Sequence, residues 1–215
     1  MTSEHNIGGN NFYGSHVVGN SFETTNHVGG AANPPARPRR LAITPVVFIN
    51  YRTGDEEASA ALIERELSRR FGSGKIFRAE KSVLAGDDIE TTIMGAVRRS
   101  QALVAVIGPR WLAADEHGRR AIDSAGDWTR REIVEAFNHR VRIIPVLVGK
   151  TPYLTSSDVP AELAWLPGCK YLRLNYRDVD AGLGRLADEL AGLVPGLDEA
   201  RQVAAHRGHF GIDGN

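Results

Sequence analysis

From Pro45 to about Pro195 the chain alternates short apolar runs with longer amphipathic stretches. Val46-Val47-Phe48-Ile49, Ala102-Leu103-Val104-Ala105-Val106-Ile107 and Ile143-Ile144-Pro145-Val146-Leu147-Val148 are continuous apolar runs. Runs without polar alternation predict strands covered on both faces, as in a parallel sheet. Lys75-Ile76-Phe77 and Tyr171-Leu172-Arg173-Leu174 predict two shorter strands. Between the strands the spacing becomes helical. Ala60, Ile63, Leu67 and Phe71 share one stripe; Ile89, Ile93 and Val97 share the next. Ile133, Ala136 and Phe137 form a third stripe facing a core, and Leu183, Leu186, Leu190 and Leu193 mark the last helix. Residues 79–87 read as a loop, and a long polar loop follows Gly108-Pro109. Repeated strand–helix units predict an α/β fold: flavodoxin-like, three layers, with a five-stranded parallel sheet and right-handed crossovers.

Ligands of such sheets bind outside the carboxyl ends of the strands. Here those ends are Asn50-Tyr51-Arg52, Arg78 to Gly86, Gly108 to Trp111, and the loop entering Trp128. The unusual residues of the chain gather on that edge.

Residues 1–33 break the pattern. They are rich in Gly and Asn and poor in aliphatic side chains. A weak repeat runs through His5-Asn6-Ile7-Gly8-Gly9-Asn10, Ser15-His16-Val17-Val18-Gly19-Asn20 and Asn26-His27-Val28-Gly29-Gly30-Ala31. Such a segment buries too little apolar surface to offset its ordering entropy alone. It reads either as a disordered tail or as a unit ordered by cross-β stacking, where Asn ladders add stability. Residues 34–44 form an extended Pro/Arg linker. Residues 45–195 form the folded domain and 196–215 a flexible, Gly-rich tail.

Charge narrows the partners. Lys+Arg and Asp+Glu both total 26, so the net charge is zero. A balanced surface gives no footprint for nucleic acid or an anionic membrane. No apolar run approaches the length of a membrane span, and the amino terminus lacks a signal-peptide core. The lone Cys169 fits a reducing cytoplasm and reads as structural. His206 and His209 lie in a tail without other ligand candidates, so no metal site is expected.

Asp127-Trp128-Thr129-Arg130-Arg131-Glu132 opens the third helix. Asp127 suits an N-cap. Trp128 and Glu132, four residues apart, share one helix face. They read either as an indole and a carboxylate beside a ring-and-sugar ligand, or as an edge-of-core aromatic and a solvated acid. Tyr51 and Arg52 could stack on a base, hold a phosphate or brace their loop. Gly86 suits a turn with positive φ, and Trp111 a loop anchor. Gly72-Ser73-Gly74-Lys75 mimics a phosphate loop but lacks the upstream Gly, the following Ser/Thr and the following helix. A phospho-receiver would need acids after the first and third strands, where this chain has Asn50-Tyr51 and Gly108-Pro109.

Four blocks, in order, resemble Toll/interleukin receptor (TIR) domains of the bacterial, NAD-cleaving branch. They are Val47-Phe48-Ile49-Asn50-Tyr51-Arg52; Ile76-Phe77 with Ala85-Gly86-Asp87-Asp88; Asp127 to Ile133; and Ile143-Ile144-Pro145-Val146. The resemblance implies a TIR fold over about residues 45–195. It implies that Glu132 of the W-x-x-x-E helix is catalytic, and that Tyr51, Arg52, Ser82, Gly86 and Trp128 bind substrate. NAD+ would be the substrate, with no separate cofactor. Homo-oligomers or filaments through TIR–TIR contacts, cytoplasmic location and bacterial immune signalling follow from the same resemblance. Residues 1–33 resemble the amyloid-signalling motifs of bacterial immune proteins, implying amyloid-type contacts with itself or a receptor. The chain departs from many relatives at Phe77-Arg78-Ala79, where they carry an Asp. A non-enzymatic adaptor acting by homotypic assembly is the alternative.

Overall fold

The structure, a computed structural model, describes residues 46–197. The expectations for residues 1–33 and 34–44 therefore lie outside the described residues. Five strands form one parallel sheet: β1 Val47–Asn50, β2 Ile76–Phe77, β3 Ala102–Ile107, β4 Arg142–Val148 and β5 Leu172–Leu174. Their spatial order is β2-β1-β3-β4-β5. The apolar runs read from the sequence fall on these strands, and β1 and β3 carry buried residues at every position. This is the five-stranded parallel α/β architecture that the alternation predicts.

Helices α1 (Glu57–Phe71), α2 (Ala79–Ser82), α3 (Ile89–Arg99), α4 (Trp128–Asn138) and α5 (Val179–Leu193) complete the domain. α1 packs against α5, and α3 against α4. The connection through α1 leads from β1 outward to β2, whereas the one through α3 returns across β1 to β3. Right-handed crossovers in opposite directions place their helices on opposite faces. The reversal lies between β1 and β3, so the carboxyl ends of those strands border the crevice where doubly wound sheets bind ligands. β1 and β3 are in register from Val47↔Ala102 to Asn50↔Ala105.

Three apolar positions depart from their predicted stripes. Phe137 is 50% exposed and stacks on Trp165 with ring centroids 4.4 Å apart, rather than facing the core. Ile89 and Leu193 are exposed at the ends of α3 and α5, where the helix outruns the layer beneath it. The expected loop 79–87 contains the short α2, four residues too brief to show periodicity. Leu197 is buried, so the packed core continues past residue 195; residues 198–215 are outside the described range.

Candidate active site

The first two turns of α4 are joined to the three residues that end and follow β1. Asp127 caps the helix, its Oδ2 accepting from the Arg130 N–H at 2.9 Å. The same carboxylate accepts both Nη groups of Arg52, at 2.9 and 3.0 Å. Planar guanidinium and carboxylate match in this fork, which fixes direction as well as distance. The Thr129 carbonyl accepts from Asn50 Nδ2 at 3.2 Å, and the Thr129 hydroxyl donates to the Tyr51 carbonyl at 3.5 Å. Glu132, only 1% exposed, accepts from Asn50 Nδ2 at 2.7 Å.

Burial removes one of the two sequence readings of Glu132: it is not a solvated surface acid. Taking a carboxylate out of water is costly unless hydrogen bonds replace hydration, and Asn50 supplies one. Trp128 is half-buried, with the Arg131 guanidinium 4.6 Å from its ring centre. Arg131 also pairs with Glu90 in the first turn of α3. One face of the indole is thus already covered by a cation, and α3 and α4 are linked through it.

Trp111 anchors its loop, 1% exposed, with the Arg52 guanidinium 5.9 Å from its ring centroid. Trp111 Nε1, Arg52 Nε and Asn50 Oδ1 are buried polar atoms without a hydrogen-bond partner among the described residues. Native interiors rarely leave such atoms unsatisfied, and here they share one strand end and the loop beside it. On the neighbouring rim Asp55 accepts from the N–H groups of Gly108 (2.9 Å) and Arg110 (2.8 Å). Burial pushes the Asp55 carboxyl above its ordinary range, against the pull of those two amides.

The predicted site residues fall in two groups. Arg52 and Glu132 are tied into the β1–α4 junction through Asp127 and Asn50, Tyr51 joins it through its carbonyl, and Trp128 opens α4 with its ring against Arg131. Ser82 and Gly86 lie on the segment after β2, at the same end of the sheet. Ser82 Oγ accepts from the Arg78 N–H within its own turn, and Gly86 adopts φ +87°, as a tight turn requires. Asn50 was not singled out by the sequence, although a polar residue closing an apolar run was a visible signal. Cys169 is half-buried and burial raises its thiol pKa, which suits a structural residue.

A doubly wound parallel sheet, with a buried carboxylate and buried polar atoms at its switch point, defines the class of α/β domain whose ligand crevice lies outside the carboxyl ends of its strands. The TIR domain family profile matches residues 47–187, and the chain belongs to that family. No curated protein matches it. Similar solved structures include the TIR domain of the Toll-related receptor TRR-2 from Hydra magnipapillata: 21% identity over 68% of this chain and 97% of that one, TM-score 0.46. The TIR domains of the activated Roq1 resistosome, which directly recognizes the pathogen effector XopQ, are 17% identical over 78% of this chain and 90% of that one, TM-score 0.39. Among the described residues no helix is long and apolar enough to cross a membrane.

Proposed function

We propose that this TIR domain cleaves the bond between nicotinamide and ribose in NAD+, with Glu132 as its catalytic carboxylate. The observation that carries the reading is the burial of Glu132 beside the switch point, hydrogen-bonded to the last residue of β1. A helix that served packing alone would place an apolar side chain there.

The chemistry needs little more than this group. Nicotinamide departs as a neutral molecule, taking the electrons of the C–N bond, so no general acid is required. The ribose gains oxocarbenium character, as in other glycoside cleavages. A carboxylate fixed close to that carbon stabilises the developing positive charge. Water then adds and loses a proton, giving ADP-ribose; capture by a nucleophile within the ADP-ribosyl group gives a cyclic product instead. Trp128 borders the ring or the ribose. Tyr51 and Arg52 line the site, and the Ser82–Gly86 segment closes its β2 side.

Assembly through TIR–TIR contacts is the second part of the proposal. Leu84 and Ile89 expose apolar side chains on either side of the Gly86 turn, a surface suited to a second domain. The same exposure favours the alternative, an adaptor that assembles without catalysis. Glu132→Gln separates the two, since it is nearly isosteric and removes the charge. In the NAD+ cleavage assay the variant should lose on the order of a hundredfold or more in rate while keeping its fold. Undiminished turnover by folded Glu132→Gln would eliminate the enzymatic reading.

A further inference from the structure

We propose that Asn50 is a positioning residue for Glu132, acting as an uncharged clamp on the carboxylate. The inference rests on the NAD-cleavage reading of the same site and adds a residue that neither the motif nor the family match assigns.

Asn50 is 0% exposed and closes β1, in register with Ala105 of β3, on a strand whose first half is paired on both sides. A strand position in a sheet is a more rigid base for a side chain than a loop. The Asn50 amide nitrogen serves two acceptors: the Thr129 carbonyl at 3.2 Å and Glu132 Oε2 at 2.7 Å. Its orientation is therefore determined. Rotating the amide by half a turn would set Oδ1 against a carbonyl and a carboxylate with no hydrogen between them. The shorter bond is charge-assisted, the stronger kind. It limits the rotamers of a glutamate whose long side chain would otherwise be flexible.

The choice of an amide has an electrostatic reason. A cation bonded to Glu132 would offset the field that the developing ribose charge needs. The nearest cation along the strand is Arg52, and both its Nη groups are engaged by Asp127. The junction thus separates two tasks. Arg52 and Asp127 neutralise each other while fixing the helix start, and Asn50 gives Glu132 a hydrogen bond from an uncharged donor. Asn50 Oδ1 lies buried beside the carboxylate, without a hydrogen-bond partner among the described residues.

The test uses the full chain with NAD+ as substrate. Asn50→Leu, close in size, and Asn50→Ala should each lower kcat by about tenfold to a hundredfold, the worth of a hydrogen bond to a charged group. KM should change by less than about twofold, because the defect lies in the carboxylate and not in substrate docking. A folded variant with wild-type kcat, or with a raised KM alone, overturns the proposal. Should neither variant fold, a measurement on folded protein decides. In amide NMR spectra Glu132→Gln should move the Asn50 side-chain resonances upfield, since the charged acceptor is gone; unmoved resonances overturn the clamp. An active Glu132→Gln enzyme would sink the catalytic reading while the NMR result still judges the clamp. An inactive one beside fully active Asn50 variants would sink the clamp alone.

Discussion

At the scale of single residues, the site is held by pairs in which one partner has little meaning without the other. Arg52 and Asp127 have side chains 13% and 9% exposed, so their fork is largely shielded from water. Removing one member of such a pair leaves a buried charge uncompensated, which costs more than the pair contributes net. Arg52→Ala should therefore destabilise the domain by about 3 kcal/mol, read as a lowered urea midpoint at unchanged slope. Arg52→Lys should recover only part of it, because an ammonium cannot make both bonds of the fork. A loss below about 1 kcal/mol in Arg52→Ala would mean that the pair behaves as an exposed one.

At the scale of elements, close approach decides more than propensity. Gly108 leaves β3 where the loop after β1 crosses it. A Cβ there would sit 2.3 Å from Glu56 Cγ and 2.5 Å from both Asp55 carboxylate oxygens. Asp55 cannot yield freely, since it holds the Gly108 and Arg110 amides. Gly108→Ala should cost about 1–3 kcal/mol, the range of an overpacked site, and lower the melting temperature; an unchanged melting temperature would show that the loop gives way. The strands were legible in the sequence because burial on both faces leaves unbroken apolar runs. The Asp127 cap was legible because capping is a local contact. Its second partner was not, because Arg52 is 75 residues away in sequence. Phe137 was placed on the core stripe with Ile133 and Ala136 and is exposed, because periodicity gives the direction of a face and not where the neighbouring layer ends. The stack on Trp165 depends on a connection that carries no periodic signal. The same limit hid Asn50: its type was visible and its acceptor across the chain was not.

At the scale of the whole molecule, the sheet order brings the ends of β1 and β3 together and sets the site on one rim. The proposed assembly belongs to this scale, because it concerns domains rather than side chains. Residues 1–33 would concentrate the domains by tethering, making their encounter effectively intramolecular. Cross-β stacking would space successive tails about 4.8 Å apart, far less than a domain's width. The rate of NAD+ cleavage should rise faster than linearly with protein concentration. Deleting residues 1–33 should lower it in dilute solution and much less under crowding, with loss of an amyloid-dye signal. Identical linear curves for both proteins, without dye signal, would rule out tail-driven assembly.

The bond from Asn50 to Glu132 spans 82 positions. A chain growing on the ribosome therefore displays β1 long before it owns the helix that completes the site. Contacts of such sequence separation must first close a long loop, so they form late in folding. The proposed NAD+-cleaving activity, built across this span, would stay silent throughout synthesis, and a product truncated before α4 would stay silent for good.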